Sequence, residues 1–190
     1  ERQVKDIIKD LKDIFKIIKE KNNNLNKIVF IGDLKHAFGF EHSEKNEFRE
    51  IMEFLGEIFP EENIILIKGN HDTIDYSFEG KMKDYHIDGD IIFVHGDDVI
   101  PQALGKKIKT IIMGHLHPCV ILKAGAKKEA YKCFLEGNYE GKIMIVMPSF
   151  LDIIEGTPVN DYRDDYIESF SIIPKKTIYT IHSPPYNTKL

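Results

Sequence analysis

The chain opens on a helical period: Val4, Ile7, Ile8, Leu11, Ile14, Phe15 and Ile18 recur at steps of three and four, with Lys, Asp and Glu between them. That spacing predicts an amphipathic helix. The asparagines of "KNNN", Lys21 to Asn24, end it, because Asn favours turns. Short apolar runs follow. "KIVFIGD", Lys27 to Asp33, has a β-rich core at Ile28 to Ile31, as a strand buried on both faces would. Phe48, Ile51, Met52, Leu55, Ile58 and Phe59 return to helical spacing and stop at Pro60. "NIILIKGNHD", Asn63 to Asp72, predicts a second buried strand running into a polar tetrapeptide. Strand, helix, strand is the unit of a parallel sheet.

Beyond Asp72 the rhythm changes. In "DYHIDGDIIFVHGDD", Asp88-Gly89 lies between two β-prone runs and predicts a hairpin. A short Lys-rich helix is expected around Gln102 to Lys107. "TIIMGHLHP", "VILK", "YKCFLEG" and "KIMIVMPSF" then look like successive strands, and "TIYTIHS" like one more. The pattern predicts an α/β fold: a mixed β-sheet, parallel early and antiparallel late, arranged as a two-layered sandwich flanked by helices. No linker divides the 190 residues, so a single domain over 1–190 is expected.

Composition narrows the function classes. The chain is 42% hydrophobic and 30% charged, with a formal charge of −5, which argues against a broad, non-specific nucleic-acid binder. Cys119 and Cys133 lack CxxC spacing and read as small apolar residues in a reduced compartment. No apolar run approaches the roughly 18 residues that a membrane span needs. No signal peptide is visible, and the expected location is the cytoplasm.

The candidate chemistry lies at strand ends. Apolar runs finish in "GDLKH" (Gly32 to His36), "GNHD" (Gly69 to Asp72), "HGD" (His95 to Asp97) and "GHLH" (Gly114 to His117). Ligands of α/β sheets bind beyond the carboxyl ends of the strands. If these strands are neighbours, Asp33, Asn70, His95, His115 and His117 converge on one crevice. A carboxylate, an amide oxygen and three imidazoles suit Mn, Fe or Zn better than Ca. Each motif alone also has a plainer reading. Asp33 caps the next segment, Asn and Asp populate turns, and a strand-end histidine is often just satisfied locally. In an extended chain, residues i and i+2 share a face, so His115 and His117 would reach one site together. His42, His86 and His182 lack such context and read as surface or packing residues. Lys35, Lys68, Lys106, Lys107 and Lys109 flank the motifs, but on so lysine-rich a chain they read as solvated side chains.

On these residues the chain resembles the calcineurin-like metallophosphoesterase superfamily, whose ordered blocks are D-x-H, GD, GNH[DE], H and GHxH. The last four are present. "GDLKH" resembles the block of the double-strand-break repair exonucleases, and "VMPSFLDIIEGTPVN" (Val146 to Asn160) resembles the closing segment of archaeal relatives of that branch. The resemblance implies two divalent metal ions, Mn first, with Fe, Ni or Zn as alternatives. Asp33 would bridge both ions. Asn70, His95 and His115 would complete one, and His117 would bind the other. His71 would be the catalytic imidazole, oriented by Asp72, and His36 would act on the substrate side. The first block, D-x-H, is absent, so one metal site is incomplete. The helical pattern at Glu1 leads us to expect that block, with its strand, upstream of this numbering; the alternative is that the block and one metal are lost.

The implied reaction is phosphodiester hydrolysis. Two such ions would acidify a shared water toward neutral pH and offset the charge of the phosphate oxygens, so that the hydroxide could attack phosphorus. His71 would protonate the departing oxygen or steady the transition state. The expected substrate is a phosphodiester, DNA or a nucleotide. The related nucleases dimerise, which implies a homodimer. Two alternatives stay open: a nucleotide or small-molecule phosphoesterase, and a catalytically weak protein-binding scaffold on the same fold.

Overall fold

The structure, a computed structural model, describes residues 2–21, 24–34, 42–72, 82–98, 100–151, 154, 156–160 and 180–182. Helix α1 (Arg2–Glu20) forms where the helical period predicts it, and buries Val4, Ile7, Leu11 and Phe15. Helix α2 (His42–Gly56) lays Phe48, Ile51 and Leu55 against the same core. Phe15 closes this layer, stacked on Phe54 at 6.4 Å and edge-on to Phe59 at 5.7 Å. No helix among the described residues is long and apolar enough to cross a membrane.

The fold is mixed α/β, as the pattern predicts, but the early and late strands belong to separate sheets. Strands β1 (Ile28–Ile31), β2 (Ile64–Ile67) and β3 (Met82–Lys83) form a parallel sheet in that order. Consecutive residues Ile65, Leu66 and Ile67 of β2 are all buried, the signature of a strand covered on both faces. Leu66 packs into the helical layer, so α1 and α2 cover one face of this sheet.

The second sheet has six strands in the order β12, β9, β10, β6, β5, β4. In chain order they are β4 (Tyr85–Asp88), β5 (Ile91–Val94), β6 (Thr110–Met113), β9 (Phe134–Tyr139), β10 (Lys142–Val146) and β12 (Thr180–His182). β5, β6 and β10 are parallel and in register: Ile92, Ile111 and Met144 form one rung, and Val94, Met113 and Val146 another. All six are buried in one apolar cluster, and this alternation fixes the register. A third sheet joins β7 (Pro118–Ala124), β8 (Lys127–Lys132) and β11 (Thr157–Pro158).

Local details depart from the sequence reading. Asp88 pairs with Ile91, so Gly89 and Asp90 are the central turn residues, with Gly89 at φ +62. The hairpin is therefore a Gly-first turn rather than an Asp-Gly one. The Lys-rich segment makes only a 3-10 turn at Pro101–Leu104, because Gly105 stops it within one turn. The run "YKCFLEG" breaks at buried Cys133, between β8 and β9.

Parallel pairing matters most for the site. β1 runs parallel to β2, and β5 parallel to β6. The imidazole of His95, just past β5, donates from Nδ1 to the carbonyl of Ile31, the last residue of β1, at 2.8 Å. That bond ties the carboxyl ends of the two sheets together.

Candidate metal centre

Each candidate metal ligand is the first or second polar residue after an apolar strand. Hydrophobic burial therefore sets where the strand stops, and the polar residue is left at its rim. After β1 the chain turns through Gly32 (φ +82) and Asp33 (φ +56). A Cβ on Gly32 would lie 2.3 Å from His95 Nδ1, so only glycine lets the two strand ends meet.

Four polar groups converge there. His95 Nε2 lies 3.3 Å from Asp33 Oδ2, 3.0 Å from Asn70 Oδ1 and 3.1 Å from His115 Nδ1. The rings of His95 and His115 meet edge to face, 5.0 Å between centroids. Ligand atoms of Asp33, His95 and His115 all lie within 4.8 Å of one another. His95 is 2% exposed.

The chemistry of this set fits a cation. A neutral His95 spends its single N–H on Ile31, which leaves the Nε2 lone pair facing a carboxylate and an amide oxygen. His115 can offer a proton to only one of these acceptors. A positive charge at their common focus satisfies them together. A histidine that gives its other N–H to a backbone carbonyl is also the usual form of a metal-ligating imidazole.

The titration tendencies agree with an acceptor-rich cluster. Burial pushes the Asp33 carboxyl up, but the hydrogen bond and charge of His95 and the His71 amide bring it down to about 2. Burial pushes His95 down, yet Asp33 and the Ile31 carbonyl outweigh it, and the net shift is upward. His115 is driven down, first by burial and then by His95.

His117 borders the same cavity as Asp33, His95 and His115, a space of about 260 Å³ running along β1, but it is not one of the three residues whose ligand atoms cluster. His115 and His117 do not share a strand face. Both sit in the left-handed region, at φ +61 and +45, while Leu116 between them is buried. Two turns, not strand alternation, bring both imidazoles to the cavity. His36 lies outside the described residues.

The "GNHD" tetrapeptide is at once a turn and part of the site. Asp72 N–H donates to Gly69 O at 3.1 Å, which closes the turn. His71 is exposed, and its backbone N–H donates to Asp33 Oδ1 at 3.1 Å. Asp72 is buried, and its Oδ2 accepts the backbone N–H groups of Asp33 (2.9 Å) and Gly69 (2.8 Å). The sequence reading missed this bond between loops. The only signal for it was an Asp three residues after a glycine, a spacing that favours side-chain-to-backbone bonding. Lys132 was missed as well: its ammonium donates to the carbonyls of Ser149 (3.0 Å) and Leu151, holding the turn on the far wall of the cavity. Among the flanking lysines, Lys109 is paired with Asp90 at 3.3 Å and belongs to the opposite rim.

The family model described as calcineurin-like phosphoesterase matches residues 5–119. No curated protein matches the chain. Among solved structures, a single mutant of Vps29 from Entamoeba histolytica is similar at 14% identity and TM-score 0.37, covering 72% of this chain and 66% of that one. The chain thus spans just under two thirds of that protein's length. Vacuolar Protein Sorting 29 from Cryptosporidium parvum is similar at 17% identity and TM-score 0.31, covering 68% of this chain and 100% of that one.

Proposed function

The chain belongs to the calcineurin-like phosphoesterase family, and from that premise we propose that it hydrolyses phosphodiester bonds with divalent metal held at the strand-end rim. One observation carries the reading: a carboxylate, an amide oxygen and an imidazole nitrogen all meet the buried Nε2 of His95 at 3.0–3.3 Å. With its proton on Nδ1, His95 turns the Nε2 lone pair toward two oxygens, and a cation at their focus satisfies all three.

In this proposal Asp33, Asn70, His95 and His115 hold one ion, and Asp33 with His117 contributes to a second. When bound, the metal supplies positive charge for the phosphate oxygens and acidifies water near neutral pH. The protein's own groups do the rest. Asp33, with a carboxyl held near 2, stays ionised throughout the physiological range. Ile31 fixes the orientation of His95, which keeps Nε2 turned to the focus. His71, exposed at the rim, gives a proton to the departing oxygen. The resemblance of "GDLKH" to the repair exonucleases makes a nucleic acid the favoured substrate, with nucleotides second.

The test uses the purified protein, Mn and bis-p-nitrophenyl phosphate, followed by single-stranded DNA and cyclic nucleotides in parallel. Metal-dependent turnover of the diester supports the reading, and the second pair separates nuclease from nucleotide phosphodiesterase. No turnover, together with no Mn uptake by calorimetry, would replace it with a partner-binding scaffold.

A further inference from the structure

We propose that Asp72 is a positioning residue for Asp33: its carboxylate holds the backbone turn that aims the Asp33 side chain into the site. The inference rests on the metal-binding reading above. It assigns Asp72 a task on the neighbouring strand end, besides any effect on His71.

The two loops are locked by carboxylates in both directions. Oδ2 of Asp72, on the β2 side, accepts the N–H of Asp33 at 2.9 Å and that of Gly69 at 2.8 Å. Oδ1 of Asp33, on the β1 side, accepts the N–H of His71 at 3.1 Å. Asp72 thus fixes the backbone of Asp33, and Asp33 fixes the loop of Asp72 through His71. The remaining oxygen of Asp33, Oδ2, is the one that faces His95.

Asp33 needs such a hold. Its φ of +56 follows Gly32 at +82, so two successive residues lie in the left-handed region. A non-glycine residue stays there only when its surroundings over-determine it. Gly69 allows the close approach: a Cβ there would lie 2.2 Å from Asp33 Oδ1 and 2.3 Å from Asp33 N. The approach brings the Asp33 amide within reach of Asp72, and a single buried oxygen takes both N–H groups. Without it, the bend at Asp33 loses its cross-strand anchor and the carboxylate loses its aim. An asparagine can present its amide oxygen in the same place and keep both bonds, whereas an alanine cannot.

That difference makes the test. Mn affinity is measured by calorimetry on the metal-free wild type, Asp72→Asn and Asp72→Ala, with no substrate present. Amide hydrogen exchange at Asp33 is followed by NMR in the wild type and Asp72→Asn. We expect Asp72→Ala to bind Mn about 10–100-fold more weakly, the usual loss when an outer partner of a ligand is removed. Asp72→Asn should stay within a few-fold of wild type, and the Asp33 amide should exchange slowly in both. Equal Mn affinity in wild type and Asp72→Ala would overturn the inference. So would an Asp33 amide in the wild type that exchanges as fast as an open loop, a reading that stands even if Asp72→Ala does not fold. A wild type that binds no Mn would overturn the metal reading instead, and the exchange of the Asp33 amide would still decide the hold itself.

Discussion

The six-stranded sheet has two rims, and each buries a polar side chain in the opposite way. At the amino-terminal rim of β10, Lys142 is buried and its ammonium donates to the carbonyls of Gly105 (2.9 Å) and Ile108 (2.8 Å). Nearby, Lys109 and Asp90 pair at 3.3 Å. Donors meet acceptors at this rim, the ammonium on two carbonyls and Lys109 on a carboxylate. At the carboxyl-terminal rim, His95 meets a carboxylate, an amide oxygen and a second imidazole. The first rim is complete as folded. The second, with the His95 proton on Nδ1, turns a lone pair toward two oxygens, an arrangement that fits a cation. Burial alone does not mark a functional group; the mismatch of its partners does.

Removing Asp33 breaks the comparison at its centre. Asp33→Ala should lower Mn affinity by more than about a hundredfold, since a ligand costs more than the 10–100-fold typical of an outer partner. Turnover should fall with it. Calorimetry and diester hydrolysis read the two losses, and an unchanged Mn affinity would contradict the site. His71→Ala separates chemistry from binding. Turnover should drop about 10²–10⁴-fold, the usual worth of a proton donor, while Mn binding persists. A parallel loss of metal would mean that His71 is a ligand.

Lys142→Met sharpens the contrast from the other rim. The stem keeps its packing, but the buried Ile108 carbonyl and the more exposed Gly105 carbonyl lose their donor, at a cost of about 1–3 kcal/mol in stability. Chemical denaturation should show the loss, and diester turnover should not move. The smallest expected effect is on pH. His95 is raised above 6.5, so its contribution to stability is complete below that value and fades as pH climbs through the folded pKa. His115 is lowered from 6.5, so stability rises with pH through its folded value up to 6.5. The metal-free protein should therefore be most stable near pH 6.5, with an acid loss as Asp33 is protonated between 3.8 and about 2. Saturating Mn should remove the decline on the alkaline side. A melting temperature that keeps rising well above 6.5 without metal would contradict the shift assigned to His95.

Much of this was legible beforehand. Val4, Ile7, Leu11 and Phe15 carry the helical period and are the buried face of α1. The apolar runs at Ile28 and Ile64 are strands, and Asp33, Asn70, His95 and His115 were nominated because each follows such a run. What the pattern does not reach has one source. The split into separate sheets depends on pairing between distant segments, and sequence spacing does not report that. The left-handed turns at His115 and His117 depend on Leu116 being pulled into the core between them. The bond from Asp72 to the Asp33 amide joins residues 39 positions apart.

The sequence by itself determined where strands and helices form and which donor atoms stand at their ends, because periodicity and residue chemistry are local. The tertiary structure alone decided that these ends share one rim, that His95 Nε2 faces acceptors, and that Asp72 closes on Asp33. Those are distances across parallel strands, set by how apolar faces pack, and no local pattern encodes them.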